Sequence, residues 1–97
     1  MRPLGQVLES VADSVGFKQR YDAYQVISRW PELVGEQIAN RSRAVKFDDG
    51  TLFVVVEDAA WRQNLSMEIE SILKQIRSHP FGRVVTQLRL IAHERGN

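Results

Sequence analysis

Cysteine is absent from the 97 residues, which excludes disulfides and thiolate chemistry and fits a reducing cytoplasm. No stretch approaches the roughly 20 apolar residues of a membrane span. The opening Met1-Arg2-Pro3-Leu4-Gly5 has no long apolar run, so no secretory signal is expected. The six glycines never assemble a phosphate-cradling loop, which excludes a Walker-type ATPase. His79 and His93 are the only histidines, and neither has a second ligand at metal spacing, so a turn and a tail explain them better than a metal site. Charge of one sign is also lacking. Thirteen basic and twelve acidic residues leave a net +1, far from a strongly basic nucleic-acid binder.

What charge there is falls unevenly. Residues 1–40 carry four basic and five acidic side chains, whereas residues 41–97 carry nine and seven, and seven of those nine are arginines. Arginine suits phosphate because its planar fork donates two hydrogen bonds at once. There is no repeat, linker-like run or shift of composition, so the chain is expected to form one domain over residues 1–97.

Periodicity supplies the elements. Leu4, Val7, Leu8, Val11 and Val15 recur at spacings of three and four, predicting a helix over residues 3–15 that Gly16 ends. A second helical stretch runs from about Tyr21 to Asn40. Its stripe is Ala23, Ile27, Trp30, Val34 and Ile38, with Tyr24 and Leu33 beside it. Pro31 predicts a break at Arg29–Trp30. The period then becomes two, with Val45 and Phe47 alternating with Ala44 and Lys46. Asp48-Asp49-Gly50 predicts a hairpin turn. Leu52 to Val56 is apolar on both faces, as in a central strand. Asp58 is placed to cap a third helix carrying Trp61, Leu65, Ile69, Ile72, Leu73 and Ile76, which Ser78-His79-Pro80 ends. A last strand covers Val84 to Ala92, with one wet face. The expected fold is α+β: helix, helix, strand, strand, helix, strand, with a three-stranded sheet and helices on one face. If the third strand lies parallel to the second, the right-handed crossover rule places the third helix over the sheet.

Catalysis finds no support in these residues. Asp48 and Asp49 are adjacent and diverge within a turn instead of sharing a proton or a metal. No catalytic residue, metal, cofactor or small-molecule substrate is expected. The two tryptophans both fall on apolar stripes, where core packing is the plain reading, favoured more for Trp30. Trp61 opens its helix, where a partly exposed ring beside Arg62 could stack on an unpaired base or anchor a partner protein. With Leu52, Val54 and Val56 facing the helices, the opposite sheet face carries Lys46, Phe53, Val55, Gln87 and Arg89. Basic and aromatic side chains on a sheet resemble a nucleic-acid platform in type, and would equally serve a protein interface. Arg41 and Arg43 extend either surface.

These residues also carry a resemblance. Trp30-Pro31-Glu32-Leu33-Val34-Gly35-Glu36-Gln37-Ile38-Ala39 resembles the W-x-x-[LV]-V-G-x-x-[IL]-A signature of the DciA-like family. Asp49-Gly50-Thr51-Leu52-Phe53-Val54-Val55-Val56 is similar to its D-G-x-L-x-V-x-V strand, and Ala60-Trp61-Arg62-Gln63-Asn64-Leu65 to its W-x-x-x-L helix start. Val84 to Ile91 matches the closing strand in character. The resemblance implies a KH-like domain that binds the replicative helicase of the DnaB type and assists its loading on DNA, without ATPase activity, in the cytoplasm at the nucleoid. It also implies contact with DNA. Arg41, Arg43, Lys46, Arg62 and Arg89 are the candidate nucleic-acid contacts, and Trp61 and Phe53 the candidate partner contacts. Family members often carry a disordered basic tail, whereas this chain closes at Asn97 directly after the last strand, so only modest single-stranded DNA contact is expected. True KH modules clamp the backbone with a GxxG loop, which this sequence lacks, so KH-type RNA binding ranks below a protein-interaction module with no DNA role.

Overall fold

The computed structural model describes residues 14–94, and its first residues already belong to a helix, α1, Ser14–Ser28. The helix predicted over residues 3–15 therefore lies almost wholly outside the described residues. Gly16 does not stop a helix, as expected from sequence, but sits inside α1. Glycine in a helix costs only about 1 kcal/mol relative to alanine, which the buried side of α1 outweighs. That side is Ala23 and Val26, while Tyr24, placed beside the predicted stripe, is 65% exposed.

The break predicted at Arg29–Trp30 is present, and a second follows. Helix α2 spans Trp30–Val34 with Pro31 in its first turn, where a missing N–H breaks no helical bond. Gly35 then takes φ 94°, a left-handed conformation that glycine adopts without strain, and α3 restarts at Glu36–Ala39.

Strands β1, Arg43–Asp48, and β2, Thr51–Val55, pair antiparallel, and the turn between them places Asp49 at φ 49° and Gly50 at φ 87°. Two consecutive positive φ values are what a two-residue hairpin turn of the I′ kind requires. The alternation predicted for β1 is corrected by a bulge. Ala44 pairs with Val54 but Lys46 with Phe53, so Val45 is an extra residue. Ala44 and Phe47 consequently share the inner face, and Lys46 points out.

The Asp58 carboxylate accepts from the Trp61 N–H at 2.9 Å and caps α4, Ala59–Ser66. The single helix expected here is two. Met67 and Glu68 donate to the Asn64 and Leu65 carbonyls in tight three-residue turns, and α5 runs on over Ile69–Arg77. Across this break Ile72 and Ile76 stay on the same core as Leu65. Pro80–Val84 forms a short 3-10 helix, so the last strand, β3, begins later than predicted, at Gln87–Ile91. Arg77 secures that loop, its Nη1 donating to the carbonyls of Arg83 and Val85 at 2.8 and 2.7 Å.

The sheet order is β1-β2-β3, with β2 and β3 parallel and joined by a crossover through α4 and α5. Leu52, Val54 and Val56 face the helices with no exposed surface, packed with Val26, Trp30, Leu65, Ile76 and Val85. The architecture is the expected α+β arrangement, one mixed sheet with its helices on one face.

Candidate nucleic-acid interface

The other face of the sheet is ordered by its register. Lys46 lies opposite Phe53, and Phe53 opposite Arg89, so a cation, an aromatic ring and a second cation form one row across three strands. Lys46 Nζ sits 5.3 Å from the centre of the Phe53 ring, within cation–π range. The next row toward the hairpin turn is Asp48, Thr51 and Gln87, whose Thr51 hydroxyl donates to Gln87 Oε1 at 3.3 Å. In the row on the other side, Arg43, Val55 and Ile91 align.

Val55 departs from the expected wet position: it is 1% exposed. It is flanked by Arg43 and Ile91, and Arg43 is held by two carboxylates, Glu57 and Glu94, each at 3.8 Å. That end of the face is therefore closed by a small charge network with an apolar floor.

The remaining candidates lie elsewhere. Arg62 lends Nη1 to the Val56 carbonyl at 2.7 Å, tying the start of α4 to the end of β2. The Arg41 guanidinium stacks over Trp61, 5.6 Å from the ring centre, beside a groove lined by Asn40, Arg41, Arg43, Glu57 and Asp58. Trp61 itself is half-buried against the core, and its indole N–H is buried without an acceptor among the described residues. Trp30 is fully a core residue, donating to Ser42. Of the seven site residues expected from sequence, the fold brings together Lys46, Phe53 and Arg89, sets Arg43 at one end of the same face, and groups Arg41 with Trp61.

Two residues of this face escaped sequence reading. Thr51 fell outside the predicted strand and Asp48 looked like a turn residue, yet both stand on the open face. The hairpin register, once its two-residue turn is granted, was the signal that could have located them. Among the described residues no three histidine, aspartate or glutamate side chains gather to hold a metal ion, and no helix is long and apolar enough to cross a membrane.

Comparison with known proteins gives this arrangement a lineage. A family model described as Dna[CI] antecedent, DciA, matches residues 3–90. A UPF0232 protein of Mycolicibacterium smegmatis is 34% identical over 88 residues, 91% of this chain and 45% of that protein. Another from Corynebacterium glutamicum is 33% identical over 87 residues, 90% of this chain and 49% of that one. One from Mycobacterium tuberculosis is 30% identical over 89 residues, covering 92% and 48%. The chain thus spans about half the length of the curated relatives it matches. With the family model covering nearly all of its sequence, the chain belongs to the DciA family.

Proposed function

We propose that this domain is a non-enzymatic adaptor that binds a replicative helicase of the DnaB type and assists its loading on DNA, contacting single-stranded DNA through the open sheet face. The observation that carries the DNA half is the Lys46–Phe53–Arg89 row. An aromatic ring gives an unpaired base a stacking surface worth about 1–3 kcal/mol, and the flanking cations serve the phosphates on either side. The row favours single strands, because the base faces of a duplex are already stacked. The helicase half rests on family membership, and Trp61 with Arg41 is the contact we assign to it, since tryptophan and arginine dominate energetic hot spots. The adaptor would act by differential binding, favouring the ring state that accepts a strand.

Fluorescence anisotropy with a labelled thymidylate oligonucleotide tests the DNA contact. Phe53→Ala should weaken binding without changing its salt dependence, whereas Lys46→Ala and Arg89→Ala should each flatten the salt slope by about 0.7. Absence of binding by the parent at low salt would remove the DNA role. It would promote a pure protein-interaction module, a reading favoured by the engagement of Arg43 with Glu57 and Glu94 and of Arg62 with the main chain. Pull-down of the helicase by the parent and by Trp61→Phe tests the other half.

A further inference from the structure

Strand β3 is an edge of the sheet, and its ladder to β2 fixes which main-chain groups remain free. The Gln87 N–H donates to the Gly50 carbonyl at 3.1 Å, and the Ile91 carbonyl accepts from the Val56 N–H at 2.8 Å. In a parallel ladder, alternate residues direct both their N–H and C=O to the same neighbour. Gln87, Arg89 and Ile91 therefore face β2, and the N–H and C=O of Leu88 and Leu90 face outward. No described residue bonds to them.

This free edge borders a cleft of about 520 Å³. One wall is Leu88, Arg89 and Leu90, and the other is Ala59, Arg62, Gln63 and Ser66 of α4, with Ile69 at the start of α5. The four α4 residues recur at three, one and three, so they form one face of that helix. A strand edge with unpaired main-chain groups, walled by a helix face, is the geometry by which extended peptides add to a sheet.

We propose that this cleft receives an extended peptide segment as a fourth strand along β3, with apolar residues alternating with acidic ones. The alternation follows from the faces. Residues of an added strand that point inward continue the Leu88–Leu90 side and meet Ala59 and Ile69, whereas those pointing outward stand beside Arg89. Among the described residues the cleft lining holds two arginines and no carboxylate. A phosphodiester backbone suits it less well. Four of the lining residues, Ala59, Ile69, Leu88 and Leu90, are apolar, and the outward carbonyls of Leu88 and Leu90 accept from peptide N–H groups that a phosphodiester lacks. The site shares Arg89 with the open face but does not depend on the reading of that face.

Selection of a random octapeptide library on the immobilised domain, followed by amide hydrogen exchange with the enriched peptides, tests this. Enriched sequences should alternate apolar and acidic residues and slow exchange at Leu88 and Leu90 by about tenfold or more. Ser66→Trp fills the cleft from an exposed position and should weaken these peptides about tenfold or more. The same variant should leave binding of a labelled thymidylate oligonucleotide unchanged, which separates this site from the open face. Leu90→Pro removes an outward N–H without breaking the ladder and should have the same effect in a folded domain. Failure of any peptide to enrich would overturn the proposal. So would enriched peptides that leave the Leu88 and Leu90 amides unprotected, or protection of those amides by the oligonucleotide instead of peptide.

Discussion

The Trp30 indole N–H donates to the Ser42 hydroxyl at 3.0 Å, and that hydroxyl donates in turn to the Ile38 carbonyl at 2.6 Å. One buried relay thus joins α2, the last turn of α3 and the approach to β1. Ser42→Ala removes its middle and leaves the indole N–H without an acceptor, at an expected cost of about 1–3 kcal/mol. Thermal melting followed by circular dichroism reads this directly. Adding Trp30→Phe to Ser42→Ala should cost less than the two single losses combined, because the stranded donor is then gone. A Ser42→Ala domain that melts with the parent would mean that the indole finds another acceptor.

Gly82 faces a steric limit instead of a conformational one. A Cβ there would run into the Ile76 carbonyl, whose carbon lies 2.7 Å away, at the end of α5. Neither group is a flexible side-chain tip. Gly82→Ala must therefore displace either the 3-10 segment or the last turn of α5, and with it the fully buried Val85. The expected result is a loss of more than 1 kcal/mol or so, read as a lower urea midpoint. An unshifted midpoint would show that the segment moves at no cost.

Leu65 and Ile69 sit one turn apart in sequence, yet the break after Ser66 gives them different surroundings. Leu65 is 3% exposed and Ile69 only half-buried. Leu65→Ala is expected to cost about 2–5 kcal/mol and Ile69→Ala distinctly less. Equal losses would argue for one continuous helix, as periodicity alone suggests.

That contrast shows where the sequence was legible. Element types and order followed from period and capping chemistry: Asp58 caps, Asp49-Gly50 turns, and Pro31 interrupts. Interruptions without a proline were not legible. Met67-Glu68 holds ordinary helix formers, and Gly16 is carried through a helix that a local reading would end. The bulge at Val45 also left no mark in composition, since valine suits a plain strand equally well. For the interface, residue types at Lys46, Phe53 and Arg89 were visible, but their alignment in one row needed the register. The pairing of Arg43 with Glu57 and Glu94 joins residues distant in sequence, which no local pattern encodes.

Trp61 combines a half-buried ring with an indole N–H that has no acceptor among the described residues. Trp61→Phe discards that donor and is expected to leave stability nearly unchanged. Trp61→Ala loses the packing as well and should fall at the low end of about 3–5 kcal/mol. If Trp61 also anchors the helicase, Trp61→Phe should bind it several-fold more weakly while melting like the parent. Equal helicase binding by parent and Trp61→Phe would reduce this residue to a packing role.

The parallel pairing of β2 with β3 carries a kinetic consequence. The β1–β2 hairpin closes over two residues, whereas Thr51 meets Gln87 across a separation of 36. Closing the longer loop costs more chain entropy before any contact repays it, so the third strand is expected to dock after the hairpin and the crossover helices have formed. In refolding experiments Leu88→Ala should mainly accelerate unfolding, while Phe47→Ala should also slow folding. Comparable slowing of folding by both would mean that the sheet assembles in one step. With the expected order, the strand that completes the sheet is also the first to let go, so brief opening of this domain begins at β3 and leaves the hairpin intact.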